Sequence, residues 1–154
     1  MNLDFFEHHV GVNFPLRYPS RSMRNPFKPG DTKSYQTKVS RSMLAEFDSG
    51  VVHEVYGTFA LGKDAEWVCR LFVLDMLEEG EEGIGSMLTV EHLYPAPLGS
   101  TVEFTATLEE IKGNEVICTY EATANGKTIA RGRQVQKIIQ KDRFKKLLDS
   151  INRI

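Results

Sequence analysis

The chain has only two cysteines in 154 residues, Cys69 and Cys118. Neither has a partner at metal-ligand spacing. A disulfide scaffold and a cysteine-built metal site are therefore disfavoured, and two free thiols fit a reducing cytoplasm. Long apolar runs are also missing: no stretch approaches the roughly 20 residues needed to span a bilayer. The opening MNLDFFEHHVGVNF carries acidic residues and lacks the apolar core of a signal peptide. A soluble, cytoplasmic protein without a membrane partner is expected. Positive charge is not in excess either, since 19 Lys and Arg against 21 Asp and Glu leave a formal charge of −2. That balance provides no basic footprint for nucleic acid.

Proline is scarce beyond the first 29 residues, which hold four of the six (Pro15, Pro19, Pro26 and Pro29). This segment shows no sustained period and reads as an N-terminal arm, 1–29. Its Phe5, Phe6, Val10, Val12 and Phe14 suit packing against something, such as a neighbouring subunit. His8 and His9 in the arm read as an incidental pair. Hydrophobic residues at 41% and charged residues at 26% place the remainder, 30–154, among ordinary single globular domains.

Pro29-Gly30-Asp31 is a turn signal, after which Thr32 to Val39 has the mixed character of an edge strand. Ser42 to Phe47 reads as a short helix, and Val51 to Tyr56 as a strand. From Thr58 to about Glu79, Leu61, Ala65, Val68, Phe72 and Met76 recur at three- and four-residue steps, which predicts a long helix with one buried face. Thr58 suits its N-cap and Gly80 its stop. Four strands follow: Ile84 to His92, Thr101 to Ile111, Val116 to Ala122, and Lys127 to about Ile139. In the first, Ile84, Leu88, Val90 and His92 share the apolar face. Asn125-Gly126 is a hairpin signal. Cys69 on the helix and Cys118 on a strand read as small buried hydrophobes. A last helix around Arg143 to Ile151 aligns Phe144, Leu147 and Leu148. The fold class is α+β: a single hot-dog domain, its long central helix wrapped by a curved antiparallel sheet. Such a sheet leaves an open edge, which a homodimer or higher homo-oligomer closes.

Three polar residues stand out, each with two roles open. Thr58 either caps the helix, or places a hydroxyl beside unpaired N–H groups able to hold an oxyanion. Glu66 either joins Lys63 and Arg70 in a solvated ion-pair row, or points into a cleft to orient a histidine or activate water. His92 is either structural or a general base, the usual task of an imidazole near neutral pH.

The stretches VHEVYGTFALGKDAEW (Val52 to Trp67), LEEGEEGIGSMLTVEHLYPAPLGSTVEFTATL (Leu77 to Leu108) and NGKTIARGRQVQKIIQKDRF (Asn125 to Phe144) resemble the fluoroacetyl-CoA thioesterase-like family of hot-dog proteins. The resemblance covers about Pro29 to Phe144. It implies a catalytic set of Thr58, Glu66 and His92, with Gly85 near the substrate carbonyl and Phe59, beside Thr58, as a substrate contact. Two departures bear on the acyl pocket: Gln134 stands where a G-x-H histidine is common, and Gly57 where serine is common. Selectivity for fluoroacetyl groups is therefore not implied. The expected activity is hydrolysis of an acyl-CoA to free acid and CoA, with no metal and no cofactor beyond the CoA of the substrate. The alternative is a non-catalytic acyl-CoA or lipid-binding protein of the same fold. A hot-dog hydratase or dehydratase is disfavoured, because no D-x-x-x-x-H motif stands at the equivalent place.

Overall fold

The five apolar residues that repeat at helical spacing are buried in the computed structural model, which describes residues 23–153. The arm residues Phe5, Phe6, His8, His9, Val10, Val12 and Phe14 lie outside the described residues. In chain order the elements are β1 (Thr32–Lys38), a 3-10 turn (Arg41–Met43), β2 (Leu44–Phe47), β3 (Gly50–Tyr56) and α1 (Thr58–Met76). There follow β4 (Glu81–Leu88), β5 (Glu91–His92), β6 (Thr101–Lys112), β7 (Glu115–Ala124), β8 (Lys127–Gln140) and α2 (Lys141–Ile151). The main sheet is antiparallel in the order β1-β6-β7-β8-β4, with β5 also on β8; β2 and β3 form a separate hairpin.

Helix α1 lies against β1, β4, β6, β7 and β8, which is the expected α+β arrangement of one long helix in the hollow of a sheet. Leu61, Ala65, Val68, Phe72 and Met76 are each at most 1% exposed. They meet the inward sets Val102, Phe104, Ala106 and Leu108 of β6 and Val116, Cys118, Tyr120 and Ala122 of β7, all buried. Fully burying each of the larger side chains stabilises the fold by about 1.5–3 kcal/mol. Phe27, from the end of the arm, packs edge-on against Phe72 with ring centroids 5.0 Å apart. Asn125 and Gly126 both have positive φ, 51° and 72°, as a tight turn between right-twisted strands requires.

Several expectations are corrected. Ser42 to Phe47 is not a helix; one 3-10 turn passes into β2, whose pairing with β3 outweighs the local helical preference of Met43, Leu44 and Ala45. Helix α1 begins with Gly57 as its N-cap, so Thr58 is the first helical residue and not the cap. It ends at Met76 with Leu77 in extended conformation, before Gly80, whose φ of +82° serves the turn into β4. The strand expected from Ile84 to His92 is broken in two, and His92 is exposed. A register shift between Gly85 and Met87 explains the altered faces. Before it, Gly83 and Gly85 turn toward α1; after it, Leu88 and Val90 do, packing over Gly62. No residue of α2 is buried, so Phe144, Leu147 and Leu148 share a helix face without entering the core.

Candidate active site

The turn from β3 into α1 is held from three sides. Tyr56 N–H donates to Ala96 O at 2.8 Å, and Gly57 N–H to Met43 O at 2.8 Å. A Cβ on Gly57 would meet Leu44 O at 2.8 Å, so only glycine lets the turn pack this closely. Inside the fold, the Tyr56 hydroxyl donates to the buried carboxyl of Asp64, two turns into α1. This strut spans the helix start and fixes the direction in which Thr58 leaves it. Thr58 is exposed, and the first N–H of α1 with an intrahelical partner is that of Leu61, bonded to Gly57 O at 2.9 Å. The N–H groups of the preceding turn therefore remain available to an anion.

Asp64 titrates high. Burial raises its pKa and outweighs the lowering by the Tyr56 hydrogen bond and by Lys63. Since the folded-state pKa lies above the unfolded one, the fold favours the protonated acid. That contribution is complete below the ordinary aspartate value, about 3.9, and is lost as pH rises through the raised folded value. Thermal unfolding across this window is expected to show Asp64→Asn gaining on the wild type as pH rises. Parallel curves would refute the account.

His92 reaches the same place from the other side. The break between β4 and β5 is pinned at Thr89, whose carbonyl accepts from the Tyr120 hydroxyl at 2.6 Å and whose N–H donates to Arg133 O at 2.9 Å. Burial raises the Tyr120 hydroxyl to about 12, so it stays protonated as the donor. Gly132 leaves the room for this contact, because a Cβ there would run into Thr89 O and the Tyr120 ring. Strand β5 then pairs His92 with Ala130 of β8. The outcome is a hydrogen bond of 2.9 Å between Thr58 Oγ1 and His92 Nε2. The pair opens on a cleft of about 380 Å³, whose lining includes Leu61, Leu93, Tyr94 and Ile129. A larger depression on the outer face of the sheet is bordered by Arg133 and Lys137, whose charges are taken by Glu109 and Glu115. No hydroxyl–imidazole pair adjoins it.

Glu66 is not brought to this pair within one chain. Eight residues along a helix correspond to a rise of about 12 Å. Its carboxylate lies over Gly85 of β4, where an added Cβ would be 3.2 Å from Glu66 Cδ and closer still to Oε1. Among the described residues Glu66 forms no ion pair with Lys63 or Arg70, and Arg70 binds Glu82 at 2.6 Å. Phe59 is 77% exposed and meets Phe47 edge-on at 6.1 Å. Cys69 lies against Cys118 in the core; that contact and burial push its thiol far above the ordinary range, so it is no nucleophile. Sequence reading missed Tyr56, Asp64 and Tyr120, whose hydroxyls and carboxyl sit at positions the periodicity scores simply as core.

A helix start and a strand end that join a hydroxyl to an imidazole, within a hot-dog domain, define a member of the thioesterase superfamily of folds. The family model for the fluoroacetyl-CoA-specific thioesterase matches residues 39–142, and the chain belongs to that family. The fluoroacetyl-CoA thioesterase of Streptantibioticus cattleyicolor is 29% identical over 91 residues, 59% of this chain and 66% of that protein, just under two thirds of its length. Among solved structures, a Thermus thermophilus hypothetical protein, described as a thioesterase superfamily member, is 35% identical with a TM-score of 0.79, over 83% of this chain and 95% of that one. A hot-dog-like protein from Thermanaerovibrio acidaminovorans is 25% identical with a TM-score of 0.75, over 80% and 92%. No described helix is long and apolar enough to cross a membrane.

Proposed function

We propose that the protein is a cytoplasmic acyl-CoA thioesterase that hydrolyses its substrate to the free acid and CoA at the Thr58–His92 pair. The observation that carries this reading is the 2.9 Å bond between Thr58 Oγ1 and His92 Nε2 at the mouth of the cleft, in a chain of this family. His92 takes the proton of the attacking hydroxyl, that of Thr58 or of a water held by it. The thioester carbon becomes tetrahedral, and its oxyanion is met by the unpaired N–H groups in the first turn of α1. Collapse expels the CoA thiolate, which takes up the proton from the imidazolium. If Thr58 has attacked, a water resolves the acyl-enzyme by the same proton transfers. Phe59 and Phe47 offer an apolar rim to the acyl group.

Glu66 and Gly85 belong to this chemistry through a second copy of the chain. Strand β4 ends the main sheet and pairs on one side only, with β8. Both Gly85 and the Glu66 carboxylate lie at that edge. A two-fold dimer across β4 brings Glu66 and Gly85 of one protomer toward the Thr58–His92 pair of the other. There the carboxylate supports the imidazolium or holds the water. Release of CoA thiol from short, medium, long and aryl acyl-CoAs is the direct test, and at least one thioester is expected to be turned over. A folded protein that binds CoA esters but releases no thiol from any of them would make it a binding protein.

A further inference from the structure

One wall of the cleft carries a cation at its rim. Tyr94 and Ile129 both line the cleft that holds Thr58 and His92. The ammonium of Lys127 stands 3.9 Å from the centre of the Tyr94 ring. This cation–π contact ties the charge to a ring of the cleft wall. Further along β8, Arg131 is neutralised by Glu91 at 2.8 Å. Among the described residues no carboxylate pairs with Lys127 in this way.

The strand fixes which way Lys127 points. Cross-strand partners share a face, and Lys127 pairs with Ala124, which is buried in the core from β7. Thr128, the next residue, turns to the outer face and donates to Glu121 Oε1 at 3.1 Å. The β7–β8 register then shifts between Ala122 and Thr123, so Ile129 is an extra residue on β8 and lies inward together with Ala130. Lys127 and Ile129 therefore share the cleft side of the strand. The Tyr94 segment is tied to that strand, because Leu93 N–H and Tyr94 N–H both donate to Ile129 O, at 2.8 and 3.1 Å. Lys127 precedes Ala130, the strand partner of His92, by three residues, a distance of about 10 Å. The charge is too far from the Thr58–His92 pair to touch a reacting thioester. It is close enough to meet another group of the same substrate.

We propose that Lys127, held on Tyr94, binds a phosphate of the CoA moiety and so fixes the direction in which the thioester lies in the cleft. This rests on the reading of the Thr58–His92 cleft as an acyl-CoA site. In an acyl-CoA a long uncharged pantetheine chain separates the sulfur from the phosphates. A cation that meets them therefore belongs at the rim and not beside the reacting atoms. An ammonium is a compact donor suited to a phosphate oxygen. With the CoA end leaving over Leu93 and Tyr94, the acyl group is directed to the other side, where Phe47 and Phe59 meet. A carboxylate at the far end of a dicarboxylic acyl chain would suit the same ammonium and reverse that direction. Lys127 is exposed, which fits the large, solvated nucleotide end better than an enclosed acyl chain.

The test compares ligands that differ in the phosphates. Lys127→Gln removes the charge and Lys127→Arg keeps it. The dissociation constant of CoA is measured for each protein, and KM for one acyl group carried on CoA and on pantetheine. Lys127→Gln is expected to bind CoA about three- to tenfold more weakly and to raise KM for the acyl-CoA by a similar factor, the scale of one charge contact at a solvated rim. Its KM for the acyl-pantetheine should stay within about twofold of the wild type with kcat unchanged, the pattern of a group that binds without acting on the transition state. Lys127→Arg should retain the CoA affinity. Wild-type CoA affinity in Lys127→Gln, or an equal loss with the acyl-pantetheine, would overturn the proposal. A loss confined to thioesters of dicarboxylic acids, succinyl against butyryl, would move the contact to the acyl end and overturn the assigned direction. The functional reading fails separately: a wild type that binds CoA through Lys127 yet hydrolyses no thioester would leave this contact standing and remove the hydrolase. A wild type that neither binds CoA nor hydrolyses its thioesters would remove both.

Discussion

Replacing His92 by alanine is expected to lower kcat for acyl-CoA hydrolysis by about 10²- to 10⁴-fold, the range that positioned general bases supply. The loss should appear in the chemical step, because the imidazole meets the hydroxyl of Thr58 and not a remote part of the substrate. The fold should survive it. His92 is exposed, and among the described residues its side chain makes one hydrogen bond, to Thr58 Oγ1. Its place on β5 is secured by backbone pairing with Ala130 and by Leu93 N–H donating to Ile129 O at 2.8 Å, neither of which needs a ring. Thermal unfolding of the variant should accordingly match the wild type. Thr58→Ala is the companion: it removes the other half of the pair and should fall by a similar factor, since members of one catalytic unit do not add independently. A His92→Ala protein that hydrolyses its thioester at the wild-type rate would end the assignment of the base.

Much of the fold follows from spacing that any reader of the chain can check. The helix face from Leu61 to Met76 and the alternation in β6 and β7 point at one core, and both are buried as their periods require. Asn125-Gly126 sets the β7–β8 hairpin. The misreadings have a common cause in context. Ser42 to Phe47 is helical in composition, yet β3 offers its backbone a partner, and pairing overrides local preference. Strand β4 looked continuous to His92 because simple alternation takes no account of an inserted residue. The shift after Gly85 exchanges the faces and frees His92 from the apolar side.

The site was legible in part. Thr58 and His92 were marked by a hydroxyl at a helix start and a histidine where a strand ends, and both are local facts. Glu66 was marked by its place on the helix with an ion-pair row as the competing role, and its surroundings depend on pairings between distant segments that no local pattern contains. Gly85, over which the carboxylate lies, is on another element 19 residues further along the chain. The Tyr56–Asp64 strut is the opposite case. It spans only eight residues, but a tyrosine and an aspartate at that spacing occur in many helices without meeting, so burial alone gives the pair its meaning.

Gly85→Ala should show whether the Glu66 carboxylate acts where it lies. One methyl group on β4 would overlap Glu66 Oε1. The atom that must yield is the tip of a flexible side chain, so the strand can stay while the carboxylate swings away. The expected result is a loss of about 10²-fold in kcat, the scale of a catalytic group displaced by an ångström or so, with little change in the unfolding temperature. Glu66→Gln should fall alongside it. The same variant tests how the site is shared. In a dimer across β4, a Gly85→Ala protomer retains its Thr58–His92 pair, and a Thr58→Ala protomer retains its Glu66. Co-assembled, the two variants build one complete site per mixed dimer, so the mixture should regain activity that neither shows alone. A single chain that completes its own site would show no such recovery, and a mixture that stays inactive while mixed dimers are demonstrably present would remove the two-fold reading and return Glu66 to its own protomer.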